Sequence, residues 1–201
     1  MLILFAVVAV ADLIAVAWGI EWLEWVAKPL LCLVLAAYVL RTAPRQRLLA
    51  TGLVFATAGD VALLVDGQVA FLVGMTAFLV MQICYIVVFV RLGSRPRLAA
   101  VAYLLVWAAA AVTLWQPLGG LAAPVLAYGL VLVAMAAFAA GVNAVAGIGG
   151  ALFVFSDFLV GLGVTGADFS GRGVALMTTY ILAQFLIVRG VLRATPPPQP
   201  A

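Results

Sequence analysis

Histidine is absent, and charge of either sign is scarce: ten basic and seven acidic residues among 201, or 8%. Without histidine there is no serine–histidine–aspartate or cysteine–histidine arrangement for nucleophilic catalysis. Zinc sites built on imidazole are excluded too, and a carboxylate-only metal site is only weakly indicated. The shortage of charge excludes a soluble domain, in which about 25% of residues are charged. Here 68% are hydrophobic and the mean hydropathy is +1.32. Ten scattered bases cannot make a nucleic-acid surface, so no nucleic-acid partner is expected. The two cysteines, Cys32 and Cys84, fall at different depths of apolar stretches, which argues against a disulfide and for small apolar filler. No cofactor is called for: GIGGA (147–151) lacks the βαβ context of a dinucleotide fingerprint.

What the chain has instead is long apolar runs. They are continuous rather than alternating, so a β-barrel is excluded and an all-α polytopic membrane helix bundle is predicted. With about 20 apolar residues per crossing, breakers and charges divide the chain into about eight transmembrane helices. These are 2–19, 26–40, 48–65, 69–90, 98–115, 123–141, 147–164 and 173–190. The sixth and seventh are separated only by GVNAVAG. The first lacks a basic n-region and carries Asp12, so it reads as a membrane helix rather than a cleaved signal peptide. Trp22 and Trp25, with Glu21 and Glu24, read as a surface anchor before the short second span. The whole reads as one transmembrane domain, 1–193, followed by a disordered proline-rich cytoplasmic tail, 194–201.

Charge sets the direction. Arg41, Arg45, Arg47, Arg91, Arg95, Arg97, Arg189 and Arg193 fall at one end of an even-numbered bundle. The other end holds Glu21, Glu24, Asp66 and Asp168, with Lys28 and Arg172 its only bases. The positive-inside rule then places both termini in the cytoplasm. Arginine over lysine, with abundant alanine, valine and leucine, points to a GC-rich bacterial genome and hence a multi-pass protein of a bacterial plasma membrane. A duplication is also indicated. Span four reads MTAFLVMQ and span eight MTTYILAQ, and spans three and seven each carry an aspartate. Pro29 and Pro124 each open an even span, at a matching offset. A parallel four-plus-four repeat would place Asp60 and Asp157 equivalently; chance likeness between apolar sequences is the alternative.

Asp60 and Asp157 are the candidates for chemistry. A carboxylate at membrane depth costs a few kcal/mol or more, and both lie roughly 8–10 Å below the acidic end. Asp12, Lys28, Tyr128 and Tyr180 fall near that depth, forming one expected polar layer. Thr57 shares a helix face with Asp60, and Gln184 shares one with Tyr180. Gln82 and Gln184 sit deeper. Simpler roles are open for several of these: Asp12 bonding a neighbouring helix, the glutamines as interhelical glue, Lys28 snorkelling to the surface. Asp66 and Asp168 read as solvated loop charges, and the glycines at 147, 149, 150, 161 and 163 as sites of close helix packing.

The run TGLVFATAGDVALLVDGQVAFLVGMTAFLVMQICYIVVF resembles the YhhN-like, or lysoplasmalogenase, family of membrane proteins. Gly59, Asp60, Phe71, Gly74, Phe78 and Tyr85 carry the likeness. So do Lys28–Pro29, GALFVFSD around Asp157, and the Tyr180–Gln184 pair. The likeness covers nearly the whole chain and departs at Gln82, where the family often has histidine. It implies eight helices and hydrolysis of the vinyl ether bond of a lysoplasmalogen to a fatty aldehyde and a glycerophospho-base. Asp60 and Asp157 would then be an acid/base dyad able to share a proton. Lys28 would meet the phosphate, and Tyr128 and Tyr180 would orient the ether oxygen or water. The partners expected are a lysophospholipid substrate and membrane lipids; oligomeric state is left open. The alternatives are a transporter of small molecules or lipids coupled to protons through its aspartates, and a non-catalytic membrane partner. The topology has a direct check. A reporter that works only in the cytoplasm, fused to the C-terminus, is expected to be active; one active only outside the cell would reverse the orientation.

Overall fold

The computed structural model describes residues 1–195, and these form eight α-helices. They are α1 Leu2–Trp18, α2 Glu21–Thr42, α3 Arg47–Leu63, α4 Gln68–Arg91, α5 Arg97–Leu118, α6 Ala122–Val142, α7 Ala144–Val164 and α8 Arg172–Ala194. A single 3-10 turn, Gly119–Leu121, joins α5 to α6. There is no strand among the described residues. Five helical stretches are long and apolar enough to cross a membrane: α2, α4, α5 with α6 as one run, α7 and α8. At 17 residues each, α1 and α3 lie at the short end of the crossing range of about 17–25. The protein is a multi-pass, all-helical membrane bundle. The proline-rich tail expected to be disordered lies outside the described residues apart from Ala194, which ends α8, and Thr195.

Two boundaries differ from the expected spans for physical reasons. The second helix starts at Glu21, so the tryptophan anchor is its first turn rather than a lead-in. Glu21 and Glu24 there face the positive end of the helix dipole, and Glu24 forms an ion pair with Lys28 one turn later. Pro29 therefore lies inside α2 and does not open it, whereas Pro124 sits in the first turn of α6, where proline is tolerated. The break between α6 and α7 is narrower than expected. It is one residue, Asn143, in extended conformation. Its side-chain oxygen caps α7 by accepting from the Ala146 amide at 2.9 Å, and its amide donates to the Gly190 carbonyl of α8 at 2.9 Å.

Each helix within α1–α4 and within α5–α8 packs on the next, most extensively in the α3–α4 and α7–α8 pairs. Across the halves, α4 meets α6, and α8 meets α1 and α2. Glycine allows the closest approaches. A Cβ on Gly149 would lie 2.8 Å from the Ile187 amide nitrogen, and one on Gly190 2.6 Å from Ala146. Gly147 and Gly150 of α7 similarly admit Ala140 and Ala136 of α6. Small residues at helix contacts suit a medium in which apolar side chains gain little by leaving lipid. Both cysteines are buried and free, as expected of filler, although the Cys32 thiol also finds a polar partner described below. The packing predicts that Gly149→Leu or Gly190→Leu destabilises the protein by about 1–3 kcal/mol or more. Gly120→Ala, with open space around its Cα, should be near neutral. Thermal unfolding in detergent checks both.

Candidate active site

Most of the polar residues singled out in the sequence meet at one cavity of about 870 Å³, walled mainly by apolar side chains. This is within the range of about 300–1,000 Å³ usual for small-molecule sites. Asp60, Asp157, Tyr128, Tyr180 and Lys28 all contribute to its lining. Asp66, Gly67 and Gln68, before and at the start of α4, also line it, as does Arg172 at the start of α8. The cavity therefore reaches the acidic end of the bundle, opposite the arginine-rich end.

Asp60 is placed by its neighbour in sequence. Gly59 lets the Phe78 ring of α4 lie across α3, where a Cβ would come within 2.7 Å of the ring. Phe78 meets Tyr180 edge-on, with centroids 6.0 Å apart, and Phe153 of α7 meets the same tyrosine at 5.7 Å. Two rings thus hold Tyr180 so that its hydroxyl donates to Asp60 Oδ2 at 2.8 Å. Behind it the bonds continue in one direction. Tyr85 donates to Gln184 Oε1 at 2.7 Å, and Gln184 Nε2 donates to the Tyr180 oxygen at 3.4 Å. The Cys32 sulfur lies 3.3 Å from that same oxygen. With the Tyr180 proton directed at Asp60, the thiol is left as donor. A chain of this polarity strengthens its last bond, the one to the carboxyl.

Asp157 has a separate arrangement. The Tyr128 hydroxyl of α6 donates to its Oδ2, and both residues are half-buried at the cavity wall. Next to Asp157, Ser156 turns away and donates to the Leu176 carbonyl of α8 at 3.1 Å. No hydrogen bond joins the two carboxyls directly among the described residues. Each is held by its own tyrosine.

Other expected site residues lie off the cavity. Asp12 is fully buried on α1, with neither carboxyl oxygen hydrogen-bonded. It is not part of the cavity wall. Thr57 donates to the Leu53 and Pro29 carbonyls and ties α3 to α2. Tyr85 and Gln184 act behind Tyr180. Gln82 is fully buried beside the Tyr128 hydroxyl, with neither amide atom in a hydrogen bond of good geometry. Asp66, a solvated loop charge by sequence, and Arg172, a base of the acidic end, both reach the wall. The four-residue spacing of Asp168 and Arg172 was the available signal: Arg172 Nε donates to Asp168 Oδ1 at 2.8 Å.

Fold and site together define a class: a multi-pass helical membrane protein with two tyrosine-bonded carboxyl groups on the wall of a cavity between its helices. The chain belongs to the YhhN family, whose sequence model matches residues 23–191. It is 29% identical over 181 residues to the human protein named lysoplasmalogenase TMEM86B, covering 89% of this chain and 79% of that one. No solved structure matches the chain.

The hydrogen-bond chain has a measurable consequence. Tyr180→Phe leaves the buried Asp60 carboxyl without its donor and is expected to cost about 1–3 kcal/mol. Tyr85→Phe should cost less, and the double variant should lose less than the sum, since both act on one chain. Unfolding temperatures of the three purified variants test this.

Proposed function

We propose that the protein is a membrane hydrolase that cleaves the vinyl ether bond of a lysoplasmalogen-type lipid, with Asp60 and Asp157 as its acid and base. The observation that carries this reading is the pairing of two carboxyl groups, each hydrogen-bonded to a tyrosine, on the wall of one apolar cavity with cations near its acidic end. Membership of the YhhN family and the likeness to a lysoplasmalogenase supply the bond to be broken.

The chemistry needs two carboxyl groups in different protonation states. A protonated carboxyl delivers its proton to the alkenyl carbon distal to the ether oxygen, and the electron pair of the double bond forms the new C–H bond. The resulting oxocarbenium ion is stabilised by the second, ionised carboxylate. That carboxylate also takes a proton from the water attacking the cationic carbon, giving a hemiacetal. The hemiacetal C–O bond then breaks as its ether oxygen is protonated and its hydroxyl deprotonated, releasing fatty aldehyde and the glycerophospho-alcohol. Glycoside hydrolysis divides labour between two carboxyl groups around a similar cation. The two tyrosines keep separate carboxyls in place, so the pair works across the substrate without sharing a proton directly. The aliphatic chain lies among the apolar wall residues, and Lys28, held by Glu24, offsets the phosphate charge. If the arginine-rich end is cytoplasmic, substrate enters from the outer leaflet.

Asp60→Asn and Asp157→Asn are each expected to lower aldehyde release by about 10²–10⁴-fold. Product mass spectrometry should find aldehyde from lysoplasmalogen and no fatty acid from an ordinary ester lysophospholipid. The assay runs in detergent without a gradient. Substrate carried unchanged across vesicles, with no aldehyde formed, would establish a transporter instead.

A further inference from the structure

The arginine-rich end of the bundle carries no acidic side chain among the described residues; every aspartate and glutamate lies nearer the other end. Neither of the two ion pairs among the described residues includes an arginine of this end. The fold gathers five of these arginines. Arg41 lies in the last turn of α2, Arg45 in the bend that follows, Arg47 opens α3, and Arg189 and Arg193 stand near the end of α8. The bend is tight, because the Gln46 amide donates to the Ala43 carbonyl at 2.8 Å. Two side-chain bonds fasten α8 beside it. Gln46 Nε2 donates to Thr195 Oγ1 at 2.9 Å, and Arg189 Nη1 donates to the Tyr38 hydroxyl of α2 at 3.3 Å. Arg193 is one turn beyond Arg189 on the same helix face. Arg41, Arg45, Arg47 and Arg193 are exposed. Arg91, Arg95 and Arg97 belong to a different loop, fastened to α6 by Ser94, which donates to the Phe138 carbonyl at 2.6 Å.

Guanidinium groups crowded in this way repel one another. They suit an anion with several acceptor oxygens, and the planar fork of arginine matches a phosphate. The level of the cluster points to the source of that phosphate. Leu40, next to Arg41, is 45% exposed, and Val54 of α3 and Leu182 of α8 are exposed farther along the neighbouring helices. Apolar side chains turned outward thus give way to guanidinium groups at the helix ends, the level at which a leaflet carries its phosphates. We propose that the surface formed by Arg41, Arg45, Arg47, Arg189 and Arg193 is a docking site for the head group of an anionic two-chain phospholipid in the adjacent leaflet. Bound there, the lipid bridges α2, α3 and α8 and offsets the repulsion among their arginines. The surface is separate from the cavity and does not depend on the reaction proposed above.

Thermal unfolding of the full-length protein in neutral detergent tests the site. A two-chain phosphoglycerol lipid, added in excess, should raise the unfolding temperature by about 5 °C, and a phosphocholine lipid with the same acyl chains should not. Salt at about 0.5 M should remove most of that rise. The combined variant Arg41→Gln, Arg45→Gln, Arg193→Gln should lose the rise. The combined variant Arg91→Gln, Arg95→Gln, Arg97→Gln removes the same charge from the other loop and should keep most of it. Should the first variant fail to fold, Arg45→Glu decides in its place, since it changes an exposed turn residue; the rise should fall by about half or more. Equal losses in the two combined variants overturn the site, because net charge alone would then account for the effect. An equal rise with the phosphocholine lipid, or with glycerol phosphate lacking acyl chains, also overturns it. So does an acidic peptide that reproduces the rise in place of lipid.

Discussion

A carboxyl group inside a membrane bundle has no bulk water to bond with, so the protein must supply its partners. For Asp60 the partner is Tyr180, 120 residues away. The Tyr180 hydroxyl is in turn met by Gln184 and by Cys32, 148 residues distant. The bond from Tyr85 to Gln184 adds α4 to the set. Four helices from both ends of the chain thus converge on one phenol. The rings of Phe78 and Phe153 hold that phenol laterally, and Gly59 gives Phe78 the room to do so. The position of Asp60 at the cavity is a result of this convergence, not of α3 alone.

The sequence disclosed what is costly. Two aspartates in apolar runs announced themselves because no solvent-facing role explains them at that depth, and both are on the cavity wall. The helices were legible for a related reason, since apolar length is nearly all that a membrane span requires. What stayed hidden depends on side-chain direction. Depth alone grouped Asp12 with Asp60, but rotation about α1 keeps Asp12 off the cavity. Thr57 does lie one turn from Asp60, yet its hydroxyl is taken up by backbone carbonyls. A loop charge in sequence can also be a wall charge in space. Arg172 belongs to α8, and its long side chain is drawn inward by the Leu159 carbonyl and the bare backbone of Gly163.

The wall of the cavity is uneven in a way that suits an amphiphile. Its polar groups come from α2, α3, α6, α7, α8 and the start of α4 with the turn before it, while Val106, Trp107, Ala110 and Leu114 of α5 supply mainly apolar surface. Among the described residues of α5 only Leu118 is buried, and the helix packs chiefly on α6. Trp107 fixes that contact by donating to the Leu126 carbonyl at 2.9 Å. The least embedded helix therefore supplies one apolar side of the cavity.

Gln82 shows how the two carboxyl arrangements differ. The resemblance to the family leads to an expectation of histidine at this position, where an imidazole would offer a titratable group. The position is fully buried and absent from the cavity wall, and its neighbour is the Tyr128 hydroxyl. A side chain so placed acts on Asp157 only through Tyr128, so exchanging histidine for glutamine alters how that phenol is held and removes no group from the wall. A neutral amide cannot serve as an acid or base near neutral pH. On the proposed reading, proton transfer at the cavity falls to the carboxyl groups, each hydrogen-bonded to its tyrosine.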